Sequence, residues 1–391
     1  MANTTGSNVV TACSEPHKQI HFDSRGNMGP CCQYVGERPE TDSFDEYLTS
    51  DWLADLKTSL DSGERISGCD FCWRQEDSGA KSMRQKRNDY YENKPDRGVE
   101  HIMITYGNQC NTACRICNTS RSSLIEKQYK ETKHTVTDPA LLKLVSKEHN
   151  WSKTKTWYRN INDDINSRAG NIRKLEISGG EPFINVHFDR LIDQLLASGT
   201  DLPGLNITTN GSFTQEQIAK LEPFDHVHIN YSIDGCGSEF YEYLRWPLTW
   251  TDALEKIDIL KQYPWLTCEF AIVPHNLNIL NLADSLRFFK EYTEFQDRFK
   301  IGFCWLNGAP WYSLSNTPKS VRQQAINDLS SVNLDSYTTE EREQVAELIN
   351  IISNATTTTH LDMLKSHIEL TDSYRKCDTW SVIGWHFLDI G

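Results

Sequence analysis

Short apolar segments alternate with longer amphipathic stretches through the middle of the chain, from about residue 101 to residue 305. The apolar segments have the length of strands, and the stretches between them have apolar residues at helical intervals. This alternation predicts parallel β/α units, and six strands are too few to close an eight-stranded barrel. We therefore predict an α/β fold with a partial, TIM-like (β/α)6 barrel. The predicted strands are HIMIT (101–105), KLEIS (174–178), LNITT (205–209), HVHINYSI (226–233), TCEFAIV (267–273) and KIGFCW (300–305).

The segments on either side of the barrel pattern differ from it. The N-terminal segment is rich in cysteine and has one clear predicted helix, which begins at Ser43, where Glu46 has capping-box spacing, and ends at Gly63. The C-terminal segment has helical patterns interrupted by NATTTT. A long polar insertion at roughly 122–170 separates the first two barrel strands. The predicted parts are a cysteine-rich module (1–95), a barrel core (96–315) and a C-terminal helical region (316–391).

Composition narrows the class of protein. Acidic residues outnumber basic ones by 54 to 40, and no Lys/Arg block occurs, so nucleic-acid binding is not favoured. The N-terminus MANTTGSNVVTACSEP lacks the basic and apolar regions of an export signal, and no run of about 18 uncharged apolar residues occurs. We therefore expect a soluble, cytoplasmic protein with no membrane partner. Its twelve cysteines then indicate metal ligation rather than a disulfide framework.

Three cysteines follow the first predicted strand in GNQCNTACRICNTS (residues 107–120, the cysteine loop). They are Cys110, Cys114 and Cys117, at Cys-x3-Cys-x2-Cys spacing. Closed zinc sites and ordinary iron–sulfur sites take four protein ligands, so three thiolates leave one position open. One interpretation is a [4Fe-4S] cluster with one iron free to bind a small molecule. The alternative is a structural zinc completed by a distant histidine.

Polar motifs end several of the later strands. In ISGGEP (177–182), a glycine pair would let the backbone approach a ligand, and Glu181 can accept a hydrogen bond from a cation. TTNGS (208–212) and YSIDG (231–235) end the third and fourth strands, and VPHN (273–276) follows the fifth. The chemistry of such barrels lies on the loops after the strands' carboxyl ends. Asn-Gly and Asp-Gly are also common turn signals, so each of these motifs alone is open to both interpretations.

The cysteine loop and the GGEP motif together resemble the radical S-adenosylmethionine (radical SAM) superfamily. CNTACRIC matches the hallmark Cys-x3-Cys-x-aromatic-Cys, with Ile116 in the aromatic place. The resemblance implies that SAM chelates the free iron and is cleaved reductively to a 5′-deoxyadenosyl radical, which abstracts a substrate hydrogen. The implied SAM contacts are Ser178, Gly179, Gly180, Glu181, Pro182, Thr209, Asn210, Ser232, Asp234 and Asn276.

A second set of cysteines precedes the barrel. Cys69 and Cys72 have the spacing of a metal-ligand pair, and two upstream cysteines would complete four ligands. This layout, with YLRWP (243–247), resembles the twitch (half-SPASM) domain-containing radical SAM proteins and favours Cys31 over Cys32. The resemblance implies an auxiliary [4Fe-4S] cluster held by Cys13, Cys31, Cys69 and Cys72. The residues alone leave a zinc knuckle open, with His17 or His21 as an alternative ligand.

The resemblance implies a radical SAM oxidoreductase that dehydrogenates or otherwise oxidises a small-molecule, sugar-like or peptide substrate. The auxiliary cluster would accept or relay electrons, and the expected external donor is a flavodoxin or ferredoxin. A substrate radical needs a base to take its proton, and Asp234, Arg245, Glu269 and Tyr231 are candidates because they lie near strand ends. The alternatives are a peptide maturase that forms a crosslink and a non-catalytic iron–sulfur or zinc protein that binds a partner.

Overall fold

The computed structural model describes residues 12–77, 81–149, 151, 154–306, 308–356 and 360–385, without the side chains of residues 154–157 and 159. Within these ranges, eight strands form one sheet in the order β2-β1-β3-β4-β5-β6-β7-β8. Neighbouring strands are parallel, except that β1 and β2 are antiparallel. The strands are β1 Gln19–Phe22, β2 Met28–Gly29, β3 His101–Tyr106, β4 Lys174–Gly179, β5 Gly204–Thr209, β6 Val227–Ser232, β7 Leu266–Ile272 and β8 Phe299–Phe303.

Helices connect the parallel strands and make up most of both flanking regions. Several begin at a residue whose side chain accepts a backbone N–H, among them Ser122, Asn185 and Thr249. No helix in the described part of the chain has both the length and the apolar character needed to cross a bilayer. The helices are α1 Glu15–Lys18, α2 Phe44–Leu48, α3 Asp51–Asp61, α4 Asp70–Asp77, α5 Met83–Tyr91, α6 Ser123–Thr132, α7 Pro139–Val145, α8 Thr154–Ser167, α9 Val186–Ala197, α10 Gln215–Ala219, α11 Ser238–Leu244, α12 Trp250–Lys261, α13 Leu282–Tyr292, α14 Lys319–Ser330, α15 Thr339–Asn354, α16 Leu361–Arg375 and α17 Thr379–Ile383.

The predicted α/β partial barrel is confirmed, because the six predicted strands are present as β3 to β8 in sequence order. The cysteine module also contributes to this sheet. Its strand β1 pairs in parallel with β3, with Ile20 opposite Ile102. At four residues, β1 is too short to give a recognisable strand pattern. The polar insertion between the first two barrel strands is largely helical, since α6, α7 and α8 lie in it.

The single helix predicted from Ser43 to Gly63 was wrong, because two helices occupy that segment. Ser43 caps α2 by accepting the N–H of Glu46 at 3.3 Å. A second cap at Ser50, which accepts the N–H of Leu53 at 3.2 Å, begins α3. The apolar periodicity continues across the break and conceals this second cap signal in the sequence.

The two faces of the barrel sheet differ in polarity. Along β6, buried and half-buried residues alternate, and the buried residues are apolar or aromatic. The register places Thr105, Ser178, Thr208, Asn230 and Glu269 in one layer of the opposite face, which we call the inner face. In a closed TIM barrel, bulky branched side chains fill this space. Here the inner face is polar and partly open to solvent.

Helix α15 covers the edge of the sheet at β8. The N–H of Ile301 donates to the Glu341 carboxylate at 2.9 Å, and the N–H of Phe303 donates to the side-chain oxygen of Gln344 at 2.7 Å. Glu341 also pairs with Lys290 at 2.7 Å, and both side chains are buried. An uncovered edge strand exposes unpaired backbone groups. These contacts give two backbone N–H groups at the edge of β8 a hydrogen-bond partner on α15.

We expect Glu341→Ala to lower the free energy of unfolding by about 3–5 kcal/mol, because it leaves Lys290 buried without its partner. Gln344→Ala removes one hydrogen bond and should cost about 1 kcal/mol. Urea denaturation of the purified variants measures both losses. The exposed neighbour Glu343→Ala is the control, and an equal effect of Glu341→Ala and Glu343→Ala would contradict the assignment.

Candidate functional site

The carboxyl ends of β3, β4 and β5 bring the first three predicted motifs into contact. The N–H of Glu181 donates to the carbonyl of Gln109 at 2.8 Å. The side-chain amide of Asn210 donates to the Oδ1 atom of Asn111 at 3.0 Å. The GGEP turn and the end of β5 therefore both hold the cysteine loop.

The glycines of the GGEP motif allow a close approach between two segments of the protein. Gly179 has a φ angle of 142°, which L side chains rarely adopt. A Cβ atom added at Gly180 would lie 2.1 Å from the carbonyl oxygen of Gln109. In the structure, Gly179 approaches the backbone of Tyr106 at the end of β3, and Gly180 approaches the backbone of the cysteine loop. The predicted approach of a ligand to these glycines stays a prediction.

The Glu181 carboxylate connects β4 to β5. It is 1% exposed and accepts hydrogen bonds from the Thr209 hydroxyl at 2.7 Å, the Asn210 N–H at 2.6 Å and the Phe183 N–H at 3.1 Å. Burial raises the pKa of Glu181 to about 7, and these three donors oppose that rise. A carboxylate offers about four acceptor positions, so one remains for a further donor. Its contact with the SAM ammonium stays a prediction.

The three thiols of the cysteine loop lie near one another. The Thr112 hydroxyl oxygen lies 3.1 Å from the sulfur of Cys110 and 3.5 Å from that of Cys114. Burial raises the pKa of Cys110 to about 11 and that of Cys117 to about 12, and the neighbouring thiols raise both further. Because thiolates are the ligating form of cysteine, charge on these buried sulfurs needs a bound cation. The donor set therefore fits an iron–sulfur cluster.

Arg245 lies against the same loop and pairs with Asp234. Its guanidinium donates to the Cys114 sulfur at 3.3 Å and to the Asp234 carboxylate at 2.8 Å. Burial alone would lower the pKa of Arg245, but Asp234 and Cys114 hold it above its ordinary value. The other carboxylate oxygen of Asp234 accepts the N–H of Val273 at 3.0 Å. A protonated guanidinium is no base, so this geometry favours a structural role for the pair, in place of the predicted acid–base role.

Glu269 lies on the inner face and is the candidate base best placed for substrate. A Cβ atom added at Gly302 would lie 2.2 Å from the Glu269 carboxylate, so the glycine leaves space for it. Burial raises the pKa of Glu269, and the Glu340 carboxylate adds to this effect. By contrast, Tyr231 is 1% exposed and its hydroxyl donates to the carbonyl of Ala253 on α12 at 3.5 Å. Tyr231 therefore faces the helices and not the inner face.

The remaining predicted SAM contacts lie at or near the carboxyl ends of the strands. The Ser178 hydroxyl lies 3.3 Å from that of Thr105, and Ser232 is half-buried. Pro182 is buried and begins a short 3-10 turn. Asn276 is fully buried and donates to the carbonyl of Trp311 at 2.9 Å, and its Oδ1 atom has no hydrogen-bond partner among the described residues.

The second set of thiols gathers in the cysteine module. Burial raises the pKa of Cys13 to about 12, and the thiols of Cys69 and Cys72 raise it further. Burial also raises the pKa of Cys31, with smaller effects from Cys32 and Cys13. The carboxylates on β4 and α1 are the charges that most raise the pKa of Cys32. The choice of Cys31 as the fourth ligand stays a prediction that these surroundings favour.

The described residues contain no group of three or more His, Cys, Asp or Glu side chains converging on one metal ion. A tetrahedral zinc requires four ligands about 2.0–2.3 Å from one point. A four-iron cube takes each thiolate on a different iron, so its ligands need not converge on a single point. His17, an alternative zinc ligand, lies 3.6 Å from the Asp61 carboxylate. The auxiliary cluster and the zinc alternative therefore both stay predictions for the second set of cysteines.

Arg115, which sequence reasoning missed, ties the cysteine loop to the C-terminal helical region. It is 2% exposed, pairs with Asp372 at 2.7 Å, donates to the Thr371 hydroxyl and lies over the Tyr243 ring at 4.1 Å. An ion pair between distant parts of the chain leaves no spacing signal in the sequence. In the sequence, its position directly after Cys114, a predicted cluster ligand, was the signal that could have placed it near the site.

We expect Asp372→Ala to lower the free energy of unfolding by about 3–5 kcal/mol, because Arg115 would keep a buried charge without its carboxylate. Asp362→Ala, at an exposed position of the same helix, is the matched control. Urea denaturation compares the two variants. If they unfold alike, Arg115 does not depend on Asp372, and the described link between the loop and α16 is wrong.

Comparison with known proteins gives a family match for the barrel. Residues 104–289, from within β3 to within α13, match the family model of the Radical SAM superfamily. A comparison with curated proteins found no similar sequence.

Several solved structures resemble this fold at low identity. A histidine-tagged form of anSMEcpe with bound AdoMet is 16% identical with a TM-score of 0.40, over 59% of this chain and 58% of that one. SuiB of Streptococcus suis bound to S-adenosylmethionine is 14% identical with a TM-score of 0.36, over 91% and 74%. The chain thus spans less than two thirds of the length of anSMEcpe. Similarities this low carry no argument about function.

Proposed function

Because residues 104–289 match the family model of the Radical SAM superfamily, we propose that the chain is an enzyme that cleaves SAM reductively and oxidises a polar substrate on the inner face of the barrel. A [4Fe-4S] cluster bound by Cys110, Cys114 and Cys117 is the SAM site. The observation that carries this proposal is the position of the Cys110 thiol, one of the three, near the carboxylate of Glu181, which has an acceptor position to spare.

When bound, the cluster supplies the one electron that splits SAM into methionine and a 5′-deoxyadenosyl radical, which takes a hydrogen atom from the substrate. The chain's own residues prepare the ligands for this chemistry. Arg245 donates to the Cys114 sulfur, the Asn210 amide lies 3.8 Å from the Cys110 sulfur, and the Thr112 hydroxyl lies 3.1 Å from the Cys110 sulfur. Donors to a thiolate favour its charged form, so these contacts favour ligation.

Glu181 orients SAM in this proposal by accepting a hydrogen bond from its ammonium group. The carboxylate cannot swing away, because three donors on two segments fix it. The Oδ1 atom of the buried Asn276 is a second acceptor, suited to an amino group of the adenosine part. Ser232, the last residue of β6, stands at an inner-face position and adds a hydroxyl at the same end of the barrel.

The inner face supports a polar substrate. Its side chains donate and accept hydrogen bonds, as in the contact of 2.8 Å between His228 and Thr267. Glu269 takes the proton of the substrate radical in this proposal, and burial raises its pKa, which makes its carboxylate a stronger base. An auxiliary cluster held by Cys13, Cys31, Cys69 and Cys72 would supply the acceptor for the electron left on the substrate. An external flavodoxin or ferredoxin supplies the electron for SAM cleavage. Sugar-like molecules and peptides are both polar substrates of the kind that the inner face would bind.

Substitutions in the two cysteine sets should have different effects on the cleavage of SAM. Anaerobically reconstituted protein should hold about eight irons, and removing either set should leave about four. Replacing Cys110, Cys114 and Cys117 by Ala should abolish the formation of 5′-deoxyadenosine under dithionite. Replacing Cys69 and Cys72 should retain part of it. The control is Cys236→Ala, outside both sets, which should retain all irons.

Metal analysis and chromatography of the deoxyadenosine product measure these outcomes, with circular dichroism to check folding. Zinc in the N-terminal set would contradict the auxiliary cluster. Equal loss of SAM cleavage in both folded variants would mean that the auxiliary site feeds electrons to SAM.

The pKa of Glu181 predicts how SAM affinity depends on pH. Since burial raises this pKa to about 7, Glu181 is largely protonated at pH 6 and ionises as the pH rises. Only the ionised form accepts a charge-assisted hydrogen bond, worth about 1.5–3 kcal/mol. SAM affinity should therefore rise roughly four- to eightfold between about pH 6 and pH 7.5, because the ionised fraction of Glu181 rises from about one tenth to about three quarters.

Glu181→Gln should bind SAM roughly ten- to a hundredfold more weakly at pH 7.5 and should lose the pH dependence. Isothermal titration of the reconstituted protein measures both effects. The iron content should stay unchanged, because Glu181 is not a cluster ligand in this proposal. A Gln variant with normal SAM affinity that fails only in substrate turnover would assign the carboxylate to the substrate instead.

A further inference from the structure

A cleft of about 600 Å³ lies between the cysteine module and the amino ends of the barrel strands, at the opposite end of the barrel from the SAM site. The end of α5 and the segment after it form one wall, with Arg87, Tyr91 and Arg97. The first residues of β4 and their neighbours form the other wall, with Arg173 and Lys174. The volume lies in the range of sites for small molecules.

The cleft is basic although the chain is acidic, with a net charge of −14. Five Lys and Arg side chains line it, against the two carboxylates of Glu100 and Asp225. Arg87 and Lys174 both contact the single carboxylate of Glu176. The cationic lining residues are Arg87, Lys94, Arg97, Arg173 and Lys174.

Two of the cations are free to bind a ligand. Among the described residues, no side chain pairs with Arg97 or Arg173, and both are exposed. Arginine carries a planar fork of donors that matches the oxygens of a phosphoryl group in two parallel hydrogen bonds. The two unpaired arginines suit a group of two negative charges, which a phosphate monoester carries near neutral pH.

The cleft borders the inner face of the barrel at the amino ends of the strands. Lys174, Asn206 and His228 line the cleft and also stand at inner-face positions of β4, β5 and β6. Side chains on this path stay polar up to Ser178 at the carboxyl end of β4. A parallel strand rises about 3.3 Å per residue, so Lys174 and Ser178 are roughly 13 Å apart along β4.

The geometry points to a substrate anchored by a phosphoryl group in this cleft, and we propose that its reacting end extends along the inner face toward Glu269. The inference rests on the proposed function and adds to it the class of substrate: an elongated, polar, phosphate-bearing small molecule. Arg87 also contacts Glu15, two residues from Cys13, at 3.4 Å. The cysteine module would then contribute to substrate binding as well as holding a cluster.

Titration with inorganic pyrophosphate tests the cleft without any SAM chemistry. We expect saturable binding to the folded wild-type protein at roughly millimolar concentrations or below, weakened by added salt. Arg97→Glu and Arg173→Glu should each weaken it at least about tenfold. Arg190→Glu makes the same charge change at an exposed position on α9, outside the cleft, and should bind as the wild type does. Absence of saturable binding, or an equal loss in Arg190→Glu, would overturn the proposal.

A second experiment distinguishes the substrate's phosphoryl group from free phosphate. Phosphorylated metabolites are screened for a rise in 5′-deoxyadenosine with the wild-type protein, and active compounds are repeated with Arg173→Glu and Arg190→Glu. Loss of the rise in Arg173→Glu alone supports the substrate role. An equal rise in both variants, or stimulation only by compounds without phosphate, would overturn it. If pyrophosphate binds but SAM is never cleaved, the proposed function fails while the anion site stands.

Discussion

The buried carboxylate of Glu181 is the contact on which the rest of the site depends. It joins the end of β4 to the end of β5, and its own N–H holds Gln109 in the cysteine loop. Asn210, which it fixes through the backbone, reaches back to Asn111 in the same loop. Together these contacts join the ends of β4 and β5 to the cysteine loop, which carries the three thiols. Burying a carboxylate is costly, and the raised pKa of Glu181 shows that three hydrogen bonds offset only part of this cost.

The open barrel depends on the C-terminal helical region, which lies beyond the family match. Helix α15 completes the exposed edge of β8, and α16 neutralises Arg115 inside the cysteine loop. With these helices outside the sheet, the inner face stays polar and accessible. The chain therefore lacks the packed apolar interior of a closed barrel, and polar side chains line its inner face instead.

Much of the fold could be predicted from the sequence, because each barrel strand repeats the same local pattern of apolar residues. The placement of the cysteine loop and GGEP at neighbouring strand ends follows from that order. The roles of individual residues were harder to predict, since Gly180 faces a backbone carbonyl and Arg245 pairs with Asp234, contacts that no local spacing encodes. The link from Arg115 to Asp372 and the short strand β1 were missed for the same reason.

The central claim is that Cys110, Cys114 and Cys117 hold a cluster whose open iron binds SAM. Electron paramagnetic resonance of the reduced, reconstituted protein tests it most directly when Cys69 and Cys72 are replaced by Ala, so that the signal of the loop cluster is observed alone. The account predicts a four-iron cluster signal that changes when SAM is added. A signal that SAM leaves unchanged, or a protein that keeps the SAM-dependent change after Cys114→Ala, would contradict it.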